Sequence, residues 1–304
     1  MSSRLRDSVE AVEKIILGKP HQVRLSLACL FARGHLLIED VPGVGKTTLA
    51  HALARVLGLD WKRVQFTSDL LPTDVIGVSV FDRATQQFQF RHGPVFTQLL
   101  LADEINRASP KAQSALLEAM EERQVSVDGQ THPLPDPFFV VATQNPHEQI
   151  GTYGLPESQL DRFLMRVSLG YPDGGAERRL LLAAERHELL DAVPAVLTPG
   201  EVLAAQRAAR AIYVAAPLLD YVQALIARSR AELTLGLSPR AAQGLVRAAQ
   251  AWALLHDERA VLPEHVQAVL PAVASHRLEQ RHGGKHGDGV RLAAELITAV
   301  PVPV

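Results

Sequence analysis

The stretch DVPGVGKTT (residues 40–48) follows the apolar run HLLIED and leads into KTTLAHALARVLG, so a glycine-bearing turn joins a buried strand to a helix N-terminus. Such a turn suits phosphate, because unpaired N–H groups and the positive end of the helix dipole meet there. Gly43 and Gly45 let the backbone bend with its N–H groups inward. Lys46 supplies a point charge to the β- and γ-phosphates, and Thr47 offers a hydroxyl to Mg²⁺. Pro42, Gly43, Val44, Gly45, Lys46, Thr47 and Thr48 form the candidate phosphate-contacting set. The strict G-x-x-x-x-G-K-[ST] spacing asks for glycine at 40, where this chain has Asp40.

Phosphoryl chemistry also needs a carboxylate for the metal and a base for the attacking water. LLLADE supplies both: Asp103 at a strand end as the metal-side carboxylate and Glu104 as the base. The run FFVVATQN ends in Asn145, a neutral group able to hold the water and the γ-phosphate, although Asn145-Pro146 also reads as a plain turn. Two arginines complete the set. Arg162 follows the short helical stretch opened by Pro156 and Glu157; its bland reading is a surface ion pair. Arg240 falls in the first turn of a helix capped by Ser238, where the dipole disfavours a cation unless an anion is near.

The elements that must position these residues alternate over the first 170 positions between short apolar runs and helical periodicity. This is the pattern of a parallel sheet covered by helices. Buried strands are expected at 35–40, 64–67, 99–103, 138–145 and 163–169. Residues 110–123 read as a helix with Ser109 as N-cap and Pro110 at its first position. Two hairpins, 78–90 and 124–134, interrupt the alternation, the second with an Asp128-Gly129 turn. Beyond about 188 the strand signals stop. Thr198 and Glu201 form a capping box, and helices are expected to about 212 and at 217–234, 239–255 and 263–274. The expected division is an α/β nucleotide-binding domain at 1–188, a linker near 189–198 and a helical domain at 199–304. HRLEQRHGGKHGDG (276–289) carries His276, His282 and His286 without metal-ligand spacing and reads as a solvated loop.

With 304 residues, two domains are the default expectation. Lys plus Arg is 31 against 33 for Asp plus Glu, a formal −2, which gives no bulk electrostatic case for binding nucleic acid or an anionic membrane. The one cysteine, Cys29, lies in the apolar run LACLFA and reads as a buried, inert thiol in a reducing compartment. No apolar run approaches the length of a membrane span, and Asp7, Glu10 and Glu13 exclude a signal-peptide core at the N-terminus. A cytoplasmic location is expected.

Taken in order and spacing, LIEDVPGVGKTTLA, FTSDLLPTDVIG, GPVF, LLADEINRASPKAQSALLEAMEERQVSVDG, VATQNPHEQIGTYGLPESQLDRFL and LSPRAAQGLVRAA resemble the AAA+ ATPases. More narrowly they resemble the MoxR type, of the helix-2-insert group related to magnesium-chelatase ATPase subunits. Gly154 stands where that family usually has proline. The resemblance implies an AAA+ core with a parallel sheet and two inserted hairpins, followed by a small all-α lid. It also implies Lys46 and Thr47 as Walker A, Asp103 and Glu104 as Walker B, Asn145 as sensor 1, Arg162 as arginine finger and Arg240 as sensor 2, with Arg166 the weaker finger candidate. Cofactors implied are ATP and Mg²⁺. Assembly implied is a ring, commonly a hexamer, in which the finger acts on a neighbour's nucleotide. If Arg240 and Lys46 touch one nucleotide in one chain, ATP should draw the lid onto the α/β domain.

The expected activity is ATP hydrolysis coupled to chaperone-like remodelling, or to metal insertion or maturation, of protein clients, with a von Willebrand A domain protein as partner. The alternative is a nucleic-acid motor of helicase or clamp-loader type. A hairpin that tracks nucleic acid should carry basic residues to meet phosphates; QVSVDGQTHP carries Asp128 and none.

Overall fold

The computed structural model describes residues 2–146, 151–182, 190, 193–279 and 289–302. Two helices lead the chain, α1 (Ser2–Ile15) and α2 (Pro20–Phe31), ahead of β1 (Leu36–Glu39) and α3 (Lys46–Val56). There follow β2 (Trp61–Gln65), α4 (Pro72–Ile76), the hairpin β3 (Gly77–Asp82) and β4 (Gln87–His92), and β5 (Leu99–Asp103). Next come α5 (Pro110–Glu122), the hairpin β6 (Gln124–Val127) and β7 (Gln130–Pro133), β8 (Phe139–Gln144), α6 (Glu157–Leu160), β9 (Met165–Val167) and α7 (Gly174–Leu182). The remainder is helical: α8 (Pro199–Ala211), α9 (Ala216–Glu232), α10 (Pro239–Leu255), α11 (Pro263–Ala274) and α12 (Gly289–Ala299).

The sheet is parallel, in the order β2-β5-β8-β1-β9. β1, β5 and β8 are buried along nearly their whole length, as unbroken Val, Ile, Leu and Ala runs require when helices cover both faces. Leu36 and Ile38 point into a core shared with α3, α10 and α11, whereas Leu37 joins Leu100, Leu117 and Phe163 in a second core on the other face. The first core runs without a break from Leu49 of α3 to Leu245 of α10 and Val266 of α11, so the helical part and the α/β part share one apolar interior.

Three sequence expectations are corrected. The strand expected at 64–67 is Trp61–Gln65, with Lys62, Arg63 and Gln65 exposed; it pairs only with β5 and is an edge strand, where charge blunts unwanted pairing. Regular structure in the stretch 163–169 is confined to 165–167, because Leu164 N–H bonds the His35 carbonyl before β1 begins and Ser168 turns to Asp40. His276 is buried, with Nε2 on the Phe163 carbonyl at 3.0 Å. It belongs to the turn that ends α11 against the approach to β9, not to a solvated loop. His282 and His286 lie outside the described residues. α12, which no expectation covered, buries Leu292, Ala293 and Leu296.

Candidate nucleotide site

Strands β5, β8 and β1 end side by side, so the acidic strand end, Asn145 and the loop after β1 share one edge of the sheet. Gly43 and Gly45 have φ of 84° and 96°, which glycine alone adopts freely, and nothing lies within 4 Å of a Cβ built on either. The hollow over the N-terminus of α3 is therefore open to a phosphate chain. Lys46 Nζ donates to the carbonyl oxygens of Asp40 and, at 3.3 Å, Val41, resting its charge against the loop. The departure from glycine at 40 has a structural account: the Asp40 carboxylate accepts from Val41 N–H at 2.8 Å, the Ser168 hydroxyl at 2.9 Å and Gly170 N–H at 2.6 Å. It ties the root of the loop to the segment after β9.

Thr143 organises the acidic pair. Its hydroxyl donates to Asp103 Oδ1 at 2.5 Å and accepts from Glu104 N–H at 2.9 Å. Glu104 has φ 54°, uncommon for a residue with a Cβ, and this turns its side chain away from the course of β5. Its Oε2 accepts from Gln65 Nε2 at 2.7 Å and pairs with Arg107 at 2.9 Å. Asp103 Oδ2 accepts from Arg63 Nε at 3.1 Å and a second guanidinium nitrogen at 2.7 Å. Thr47 in the first turn of α3 and Asp103 offer oxygen donors of the kind a hard cation takes. Asn145 is buried at the end of β8.

At the opposite edge the chemistry is cationic. Arg162 precedes β9, and Leu164 bonds His35 just before β1, which places this cluster at the N-terminal ends of the strands. Arg162 Nε pairs with Glu121 Oε2 at 3.1 Å, and Arg240 pairs with Glu121 Oε1. A cavity of about 270 Å³ is lined by these three residues with Arg33, Arg123, Arg247 and Arg277. Burial and the neighbouring cations Arg210 and Arg240 hold the Arg247 guanidinium below its ordinary range. Arg277, almost wholly buried, pairs with Asp161 at 2.6 Å and donates to the carbonyls of Asp161, Phe163, Leu164 and Val273. Arg166 is occupied within the chain, on Glu39 at 2.6 Å and on the Ser275 carbonyl at 2.9 Å.

The structure thus gathers Lys46, Thr47, Asp103, Glu104 and Asn145 at one edge and sets Arg162 and Arg240 together at the other. Four-residue β1 alone separates the edges by about 13 Å at ~3.3 Å per residue. Arg240 does not approach Lys46 of its own chain. The expectation of one nucleotide touched by both within a chain is not met in this arrangement: Arg277 fastens the lid beside Asp161 at the N-terminal edge, with Arg240 on Glu121, while Arg166 ties Ser275 to Glu39 at the C-terminal end of β1. Sequence reasoning missed Thr143, Arg63, Gln65, Glu121 and Arg277. None sits in a spacing that marks chemistry; each is defined by what the sheet and lid bring beside it.

Fold and edge chemistry define a P-loop ATPase with a helical lid, and comparison agrees. Residues 35–165 match the ATPase family associated with various cellular activities (AAA), and residues 225–295 match an AAA lid domain. The chain is 45% identical to the uncharacterised Bacillus subtilis protein YeaC over 99% of this chain and 95% of that protein. It is 41% identical to chaperone MoxR1 of Mycobacterium tuberculosis over 90% of this chain and 75% of that one. It is 35% identical to MoxR of Paracoccus denitrificans over 91% and 88%. A solved structure from Cytophaga hutchinsonii, described as a candidate ATPase, superposes with a TM-score of 0.88 at 32% identity, covering 100% of this chain and 96% of that one. The chain belongs to the MoxR family of AAA+ ATPases and is a P-loop ATP hydrolase.

Proposed function

We propose that this ATPase works as a ring, a hexamer, in which each nucleotide lies between the Lys46 edge of one subunit and the Arg162 edge of the next. The observation that carries the proposal is the placement of Arg162 and Arg240 together, beyond reach of their own chain's Lys46. A head-to-tail ring closes such a pair of unlike edges. The loop 42–48 and Lys46 bind and orient the phosphates. Glu104 accepts the proton of the attacking water, which Asn145 holds in line. Thr47 and Asp103 would hold Mg²⁺, which would supply positive charge to the phosphate chain, once Arg63 gives up its oxygen of Asp103. Arg162 and Arg240 meet charge on the γ-phosphate of the neighbouring subunit. The division into a nucleotide unit at 1–188 and a lid at 199–304 belongs to the same reading.

The work done is chaperone-like remodelling or metal-linked maturation of protein clients in the cytoplasm, with a von Willebrand A domain protein as partner. The name of the Mycobacterium relative supports this, as do the formal charge of −2 and the Asp128-Gly129 tip of the β6–β7 hairpin, which offers phosphates nothing basic. Among the described residues no helix is long and apolar enough to cross a membrane. The test uses the Glu104→Gln chain, expected to bind Mg-ATP as the wild type does without hydrolysing it. Held in ATP it should retain polypeptide that ADP releases. ATPase stimulation by single-stranded DNA and not by protein would favour the nucleic-acid motor instead.

A further inference from the structure

Glu121 is the point on which two arginines from different parts of the chain converge. Its Oε2 takes Arg162 Nε at 3.1 Å and its Oε1 takes Arg240 Nη2. Arg162 enters from the approach to β9 and Arg240 from the first turn of lid helix α10, so this carboxylate bridges the α/β part and the lid. Glu121 stands in the last turn of α5 beside Glu122, with no basic residue in that turn. The C-terminal end of a helix disfavours a carboxylate, so helix stability does not account for it. The nearby acid Asp161 is already taken by Arg277.

A guanidinium carries five N–H donors, and a carboxylate can accept at both oxygens. Arg162 gives Glu121 its Nε and Arg240 one Nη, which leaves both with donors for a second anion. We propose that Glu121 is a positioning residue of the shared site, holding both arginines from behind at a spacing one phosphate can bridge. The assignment rests on the two-subunit reading above. Two long cationic side chains that face each other without a carboxylate repel and spread among rotamers, and that disorder must be lost again when the neighbour's nucleotide arrives. Glu121 removes the disorder beforehand, and its place on α5, whose Leu117 and Met120 are buried, gives it a rigid base.

The test is Glu121→Gln in the full chain. The amide keeps one acceptor oxygen and turns an NH₂ toward groups that only donate. We expect kcat about tenfold lower, as misplaced catalytic groups give, with KM and the affinity for ATP at the Lys46 edge within about twofold of wild type. Glu121→Asp should recover part of kcat. In an Arg162→Ala, Arg240→Ala chain, single-turnover rates should show no further loss from Glu121→Gln, because nothing remains to be held. A wild-type kcat for Glu121→Gln overturns the assignment, and so does a tenfold loss that persists without the arginines. If Arg162→Ala and Lys46→Ala chains complement each other while Glu121→Gln stays fully active, only Glu121 is misassigned. If they fail to complement in mixed rings, the shared site falls and the assignment with it.

Discussion

At the C-terminal edge of the sheet the candidate groups are backbone N–H groups, a lysine and two carboxylates set on a strand end, with two left-handed glycines keeping the hollow clear. At the N-terminal edge they are guanidinium groups on a helix turn and a strand approach, held by Glu121, Asp161 and by Asp136, which takes Arg33 at 3.1 Å. One edge is shaped to receive an anion, and its guanidinium groups among the described residues, Arg63, Arg107 and Arg166, sit on the carboxylates of Asp103, Glu104 and Glu39; the other edge gathers Arg162 and Arg240 on Glu121, away from the loop 42–48. On the proposed reading each is half of a site, and the difference teaches why assembly and hydrolysis should be inseparable.

The largest expected effect falls on the cationic half. Arg162→Ala should bind ATP at the Lys46 edge normally yet lose about 10³-fold or more in kcat, the range an arginine finger supplies. Nucleotide titration beside steady-state turnover checks it, and weakened binding with unchanged kcat would move Arg162 to the other half. Next comes the fastening of the lid. Arg277→Ala takes from Asp161 its charged partner, leaving it only the Ser238 hydroxyl, and removes the guanidinium donor from the Leu164 and Val273 carbonyls; loss of one partner of a buried pair costs about 3–5 kcal/mol. Denaturant unfolding should show that loss. A small change would mean the lid is held by its apolar core alone.

The acid limb gives a third contrast. His35 is buried with Nδ1 accepting from Val140 N–H at 3.0 Å and Nε2 facing the Met120 carbonyl at 3.2 Å, an arrangement only the neutral ring satisfies. Burial pushes its pKa down to about 3. Its folded value lies below the unfolded one near 6.5, so the unfolded state gains the proton first and stability is lost as pH falls below about 6.5. At pH 5 this costs about 2 kcal/mol. Burial also lowers His276 in the same region, so thermal melts from pH 7.5 to 5 should fall, with the arginine edge loosening first by hydrogen exchange. The smallest effect is Arg240→Ala, about tenfold in kcat with cis affinity unchanged, as for one partly exposed charged contact.

The phosphate half was legible in sequence because its chemistry is local. Gly43, Gly45, Lys46 and Thr47 lie within one nine-residue turn, and Asp103 and Asn145 each end an apolar run whose burial on both faces forces it into the sheet interior. The hairpins showed through alternation and the Asp128-Gly129 turn. The arginine half was legible only as separate residues. Nothing in the spacing of Glu121, Arg162 and Arg240 says that they meet, because α5 packs with Phe163 in one core and lid helix α10 with Leu164 in the other, and the contact forms only where the two cores adjoin at the β9 approach. His276 was misread for the same reason: an exposed-looking polar stretch begins with a turn that the lid buries. Edge strand β2 was shifted because Phe66, apolar and buried, lies just beyond its last paired residue.

The most direct measurement mixes Arg162→Ala chains with Lys46→Ala chains, each nearly inactive alone, and follows ATP hydrolysis in rings shown by mass or light scattering to contain both. In random mixed rings about a quarter of the interfaces pair an intact Lys46 edge with an intact Arg162 edge, as head-to-tail contact requires. Turnover should therefore rise from near zero to about a quarter of the wild-type rate per interface and fall on dilution below the assembly range. Turnover that stays at the sum of the two parent chains in demonstrably mixed rings, or full wild-type activity in a dilute monomer, would contradict the two-edge site.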